Sequence, residues 1–526
     1  MRRLLLLLLA LSVLAAAPPA AATDESIFTN VGADLTPREK IGIDVDGYLR
    51  TRADGYYNLD LDRGLTPSGQ ALFPVPLGDP KGQWMTSADM RLRTDFALYA
   101  PGGTVAVKVR ADLLDNLGLG SLPDGSPLGS STQKAPTNFL RLKRAWGEVL
   151  TPFGVIAAGR MGNQWGLGML ANAGDCLDCD SGDAADRIAF VSPIAGHIFA
   201  LAYDFTSIGP NGTRKAGGVI DFEPSDRVNS VTFAVLKWKD ELSRERRRKA
   251  DRVTLEYGAY VSYRNQANDI PAWYVPAQDP APLNSSQVMY RGMDAVAGDL
   301  WLRLTTPKLR IEFEGALMYT KINQSSLIAG VEMRDAVEGL QYGLALESDI
   351  GAPEDSLHGG LDLGLASGDA APGFGANQPV GATAPVLGDL DGPQADPPRD
   401  NRIDNFRFHP DYRIDRILWR ELIGTVTDAF YIRPHLDWRM AELGPGQLTF
   451  SLAGIASFAM FASSTPGGKN PLGVELDPTL KYESRYGFQA AIEYAALFPL
   501  AGLDNPTAGL SAKFAQLFRL RLVYVF

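Results

Sequence analysis

Strict two-residue alternation, repeated along the chain in blocks of about ten residues, constrains this sequence more than any other feature, because it is the signature of strands that cross a membrane. In the first block Ile41, Ile43, Val45, Leu49 and Ala53 fall on one face, and Asp44, Asp46, Tyr48, Arg50, Arg52 and Asp54 on the other. Met90, Leu92, Phe96 and Leu98 then alternate with Asp89, Arg91, Arg93 and Asp95, and Val105, Val107, Val109 and Leu113 with Lys108, Arg110 and Asp112. The pattern persists far along the chain. Leu309, Ile311, Phe313, Leu317 and Tyr319 oppose Arg310, Glu312 and Glu314, and Phe430, Ile432, Leu436, Trp438 and Met440 oppose Arg433, His435, Asp437 and Arg439.

A soluble sandwich or propeller also alternates. These blocks, however, exceed the five or six residues usual for soluble strands, and their connections swing between very short and very long. Short ones include Pro101-Gly102-Gly103, Thr151-Pro152-Phe153-Gly154 and Leu443-Gly444-Pro445-Gly446; long ones include roughly 63–86, 116–137, 265–291 and 369–415. Short inner turns and long outer loops are a habit of membrane barrels. The pattern therefore predicts an all-β fold: a transmembrane antiparallel up-and-down barrel over 41–526. Eighteen strands fit best and sixteen nearly as well, the ambiguity lying in 196–263, where 217–223 reads as a strand or part of a loop and Lys239–Lys249 as a turn.

Both ends of the chain suit export. Arg2 and Arg3 precede an apolar run from Leu4 to Leu14 and small residues to Ala22, the three-part pattern of a signal peptide cleaved after Ala22. That run is about half the ~20 residues a spanning helix needs. The segment 23–40 then reads as a periplasmic lead-in. At the other end Phe518, Leu520, Leu522, Tyr524 and the final Phe526 share a face opposite Arg519 and Arg521. This pattern resembles the signal read by the outer-membrane barrel assembly machinery. The expected location is thus the bacterial outer membrane, with its lipid and lipopolysaccharide as partners and an oligomer possible. Composition agrees without deciding: the chain has 54 glycines, two cysteines, four histidines and a formal net charge of -11.

Short segments carry resemblances. Ala145-Trp-Gly-Glu, the turn Thr151-Pro-Phe-Gly and Ala157-Ala-Gly-Arg-Met resemble a strand-turn-strand unit of general porins. Leu472-Gly-Val-Glu-Leu-Asp, with Phe498-Pro499 and the closing strand, is similar to the end of alginate-export-type barrels. Phe406-Arg-Phe-His-Pro-Asp-Tyr and Gly424-Thr-Val-Thr-Asp resemble an uncharacterised family of myxobacterial-type outer-membrane proteins. Together they imply the barrel, and the second implies polymer export as a narrower function.

Within such a barrel the inward charges govern passage. Arg50, Arg52, Arg91, Arg93, Lys108, Arg110 and Arg160 come from the first five strands, a strip that would favour anions. The interleaved Asp44, Asp46, Asp89, Asp95 and Asp112 offer the alternative of internal ion pairing. Tyr48, Trp146, Tyr260 and Trp301 also read as inward and could stack on sugars. If Ile311 and Phe313 face lipid, charge there should block assembly, whereas Glu312 and Glu314 should tolerate neutral replacement. In the longest loop, Ile414, Ile417, Leu418, Leu422 and Ile423 recur at helical spacing, which predicts a short helix within 411–427 that constricts the mouth or packs on the rim.

Cys176 and Cys179, in an outer loop with Asp183 nearby, read as a local disulfide in an oxidising exterior, with a metal, a weak Ca²⁺ or free thiols as alternatives. No metal site and no cofactor are expected. Catalysis lacks a constellation: His197, His358, His409 and His435 are scattered, and no G-x-S-x-G occurs. The basic run Arg244–Lys249 reads as a solvated turn, so no nucleic-acid partner is expected. The expected function is passive diffusion of small polar or anionic solutes; a polysaccharide-export or saccharide-specific channel and a closed structural or adhesive barrel remain alternatives.

Overall fold

The computed structural model describes residues 27–78, 83–120, 140–270, 287–326, 328, 330–374, 386–390, 395 and 400–526. The signal peptide predicted for residues 1–22 lies outside the described residues.

Eighteen antiparallel strands close into one barrel. In chain order they are β1 (Gly42–Tyr57), β2 (Trp84–Tyr99), β3 (Val105–Gly118), β4 (Leu140–Thr151), β5 (Gly154–Gly162), β6 (Ala184–Ile194), β7 (His197–Ser207), β10 (Val228–Lys237), β11 (Thr254–Gln266), β12 (Met293–Thr305), β13 (Leu309–Ile322), β14 (Val337–Ile350), β15 (Leu357–Ala366), β16 (Ala429–Leu443), β17 (Gly446–Ala459), β18 (Pro471–Ser484), β19 (Phe488–Pro499) and β20 (Ala515–Val525). The ring closes where β1 pairs with β20, Tyr48 opposite Val525 and Tyr57 opposite Gln516. Closure satisfies every strand edge, as a spanning sheet requires in lipid. The ambiguous stretch resolves into a small hairpin outside the barrel, β8 (Asn211–Thr213) with β9 (Val219–Asp221), which leaves eighteen strands in the wall.

Both faces follow the alternation. Ile43 is 67% exposed and Leu317 53%, whereas Arg50, Glu312 and Glu314 are fully buried inside. Phe518, Leu520, Tyr524 and Phe526 are exposed on the outer wall and Arg519 is buried on the inner one. One end carries the short turns, the start of β1 and the end of β20; the other carries the long loops. The basic run forms helix α2 (Glu241–Lys249) at the short-turn end, where the Asp240 side chain accepts from the Ser243 amide and caps it. Arg248 on this helix pairs with Glu354 of the turn between β14 and β15 at 2.5 Å.

The interior is not an empty tube. Two buried apolar clusters occupy it. One gathers Phe374, Phe406, Phe408, Ile417, Trp419 and Leu422 from the β15–β16 connection against inward alanines such as Ala345, Ala453 and Ala495. The other joins Trp165 and Trp301 to Val155, Ala157 and Met161 of β5, and to Phe28 of the short helix α1 (Ile27–Asn30). In the described part of the lead-in segment, Phe28 and Val31 are buried in this cluster.

Candidate functional site

The β5–β6 connection, residues 163–183, folds inward and meets the arginine strip. Arg93 donates to the Gly174 carbonyl at 2.6 Å and forks onto Asp112 at 2.7 and 2.9 Å. Arg91 donates to the carbonyls of Cys179 and Asp180 at 2.7 and 2.8 Å, and Arg50 to Cys179 at 3.0 Å. Arg110 and Arg144 both hold Asp175. The sequence-predicted Arg50, Arg52, Arg91, Arg93, Lys108 and Arg110 all face the lumen, yet each is engaged by a carboxylate or carbonyl. The strip is thus the seat of a loop rather than a row of free cations. Within the loop Cys176 and Cys179 are disulfide-bonded, a short staple directly beside the carbonyl that Arg50 and Arg91 share.

Arg160 is the exception. On β5 the inward positions are Val155, Ala157 and Met161, which pack into the second apolar cluster. Alternation then turns Arg160 outward, where it forks onto Asp186 of β6 at 2.7 and 2.8 Å near the outer end of the wall. It does not line the pore.

A second segment enters from the opposite side. Residues 405–428 run down into the barrel, and the helix predicted across 411–427 is a single wide turn, Leu418–Leu422, with Leu422 and Ile423 amides donating five residues back at 3.0 Å each. The helical spacing instead supplies core contacts: Ile414, Ile417, Leu418, Leu422 and Ile423 are all buried in the first apolar cluster. Glu475 of β18 fixes the turn by accepting from the amides of Arg416, Ile417 and Leu418 at 2.9, 2.8 and 3.0 Å.

The two segments lock together at Asp178 and Asp180. Asp178 pairs with Arg420 at 2.5 Å, Arg413 at 3.2 Å and Arg52 at 3.3 Å. Asp180 pairs with Arg413 at 2.7 Å, Arg50 at 2.8 Å and Arg52 at 3.0 Å. Asp411 reciprocates, accepting from the Asp180 and Ser181 amides at 2.9 Å each. Burial alone would raise both carboxyls, but Arg420 and Arg413 around Asp178, and Arg413 and Arg52 around Asp180, outweigh it and hold them well below the usual carboxylate range.

Glu314, inward as its strand alternation predicts, is another anchor: it accepts from the Met169 and Leu170 amides at 3.3 and 3.2 Å. Glu312 likewise accepts from Trp301 Nε1 and Arg310 at 2.7 Å each. Both are buried fixings of the interior. The inward aromatics are also used internally: Trp146 Nε1 donates to Glu148 at 2.7 Å, and Trp165 meets Tyr260 edge to face at 5.0 Å.

Two cavities lie in the interior, the first of them at the junction. One of about 320 Å³ is lined by Arg52, Asp54, Tyr56, Asp89, Arg413, Arg420, Glu421 and Arg519. The other, about 250 Å³, lies between Trp165 and the wall of β7 and β10–β12, lined by Phe28, Arg187, Asp204, Thr232, Tyr260, Ser262 and Arg264. Of the histidines, His358 and His435 flank Asp437 at 3.9 and 3.8 Å, with Ser451 donating to Asp437, His409 faces Asp183 at 3.5 Å and His197 meets the Tyr257 hydroxyl at 2.8 Å.

The infolded segment also carries a pH dependence. Burial, with Asp477 nearby, pushes the Asp415 carboxyl up to about 8, and burial pushes Asp428 up to about 7. Both lie far above the ~4 of a free Asp. Stability from these groups is complete below that value and is lost as pH rises toward 7 and 8. The depressed Asp178 and Asp180 stay ionised across this window and do not offset it. Protease cleavage within 404–428 is expected to be faster at pH 9 than at pH 5, and D415N/D428N to flatten the difference.

No protein-family model matches the chain, and no curated protein does. Solved structures similar to it include outer membrane protein opdK of Pseudomonas aeruginosa, with 12% identity, TM-score 0.44, and coverage of 92% of this chain and 98% of that one. A BenF-like porin of Pseudomonas fluorescens has 10% identity and TM-score 0.43 over 92% and 98%. The outer membrane channel DcaP of Acinetobacter baumannii has 10% identity and TM-score 0.38 over 93% and 99%. At such low identity and TM-score the barrel assignment rests on this chain's own closed pairing and on its apolar outer and charged inner walls.

Proposed function

We propose that this chain is an outer-membrane channel for passive diffusion of small polar or anionic solutes, narrowed by its two infolded segments. One observation carries the reading: segments from opposite sides of the barrel meet at Asp178 and Asp180 on a wall of arginines, with a solute-sized cavity of about 320 Å³ beside the junction. Arg413 Nε and Arg519 Nη1 are buried without a hydrogen-bond acceptor beside the larger cavity, as Asp89 Oδ1 is without a donor. Free guanidinium donors at such a site can meet carboxylate or hydroxyl oxygens of a solute. The cavity sizes favour a small solute over a polymer, and the internal use of the aromatics weakens the saccharide reading.

Phe526 on the outer wall suits recognition by the barrel assembly machinery, and the Arg160–Asp186 pair near the outer end suits contact with lipopolysaccharide headgroups. Single-channel recording of the refolded protein in a planar bilayer under a salt gradient tests the function. Small, stable open steps with a reversal potential on the anion side are expected. A folded, heat-modifiable barrel that never conducts would favour the closed structural or adhesive reading.

A further inference from the structure

We infer that residues 27–34 are an internal gate, held in the lumen by a receptor on the wall of β3–β6, and that their release opens the short-turn end of the channel. The inference rests on the channel reading above. The wall is closed without this segment, since β1 begins only at Gly42, so the segment is not needed to complete the sheet. It nonetheless lies inside. Phe28 and Val31 are buried, 4% and 7% exposed, and the Arg187 guanidinium sits 5.6 Å from the centre of the Phe28 ring, a cation–π contact. Arg187 belongs to the outer half of β6, so the chain reaches deep into the barrel before returning to the rim.

The contacts are polar and specific below that point. The Gly32 amide donates to Glu148 Oε2 at 3.0 Å, and Asp34 pairs with Lys108 at 3.2 Å. Lys108 also pairs with Glu148 at 3.3 Å, so one Lys–Glu couple on the wall receives both a backbone donor and a side-chain acceptor from the segment. Gly32 has φ +77°, and a Cβ there would lie 2.6 Å from Val155 Cγ2; only glycine permits this close approach to β5. At the rim the chain is tied separately: Gly102 donates to the Arg38 carbonyl at 2.8 Å and Arg38 covers the Tyr99 ring at 3.9 Å. A fixed hinge near Arg38 with a small set of contacts beyond it is the construction of a hinged plug.

Its position gives it a function. Phe28 lines the 250 Å³ cavity beside Arg187 and Asp204, so lifting the segment removes that part of the cavity's lining. The Lys108–Asp34 pair is the contact best suited to control this, because Asp34 remains 59% exposed while Lys108 is buried. Water and salt therefore reach the pair from one side, and raised ionic strength weakens it.

The test compares single-channel records of the full mature barrel with those of a barrel lacking residues 27–34 and of the charge variants D34K and D34K/K108D. The deletion is expected to raise conductance at least about twofold. D34K is expected to show added transitions to that larger level, and D34K/K108D, which restores the pair with opposite polarity, to return to the parent pattern. Identical open conductance in the parent and the deletion would overturn the gate and leave the channel standing. If neither conducts although both are folded and heat-modifiable, the channel reading fails and the gate with it. D34K/K108D behaving like D34K would reduce Asp34 to a structural contact and overturn the latch.

Discussion

Replacing Asp178 and Asp180 together by asparagine is expected to raise single-channel conductance several-fold and to move the reversal potential further toward anions. These two carboxylates receive Arg50, Arg52, Arg413 and Arg420 within 3.6 Å. Removing one partner of a buried ion pair costs about 3–5 kcal/mol because the other charge is left uncompensated. Here the arginines of both the wall and the 405–428 segment lose their counter-charge at once. Mutual repulsion then separates the infolded segments, and the freed guanidiniums face solute. The barrel itself should survive, because strand pairing does not depend on the junction. Unchanged conductance and selectivity in a folded double variant would show that the junction does not set the constriction.

Leu317→Lys is expected to abolish assembly. Leu317 lies near the middle of β13 on the outer wall and is 53% exposed, and a lysine facing lipid at mid-depth costs about 2–4 kcal/mol. The paired control is Ser262→Lys, since Ser262 lines the 250 Å³ cavity from the inside. Heat-modifiable migration on a gel after refolding into vesicles reports both. Loss of the folded band in L317K with its retention in S262K is the expected outcome; the reverse would invert the facing of the strands.

The two results probe different levels of information. Facing was legible from the sequence wherever one face was charged: Arg50 against Leu49, or Glu312 against Phe313, leaves a strand only one way to meet lipid. It was illegible where both faces were apolar. On β5, Val155, Ala157 and Met161 point inward because a loop supplies them with Trp165 to pack on, and Arg160 is turned outward as a result. Nothing local to β5 announces that partner. The same holds for the spacing of Ile414, Ile417, Leu418, Leu422 and Ile423, which matches a helix but satisfies an apolar cluster inside the barrel, leaving only one helical turn.

The arginines show the division most clearly. Their side of the wall could be read from alternation, but not their partners. Asp178 and Asp180 lie in a loop more than a hundred residues from Arg50 and Arg52 in sequence, and Arg413 more than two hundred beyond the loop. Local pattern sufficed for the barrel, its strand faces and its membrane-facing surface, because a two-residue period and the exclusion of charge from lipid act on neighbouring residues. What fills the lumen emerged only from long-range packing. Closing eighteen strands into a ring brings distant segments into one low-dielectric interior, where each buried charge must find a counter-charge and every apolar side chain a neighbour.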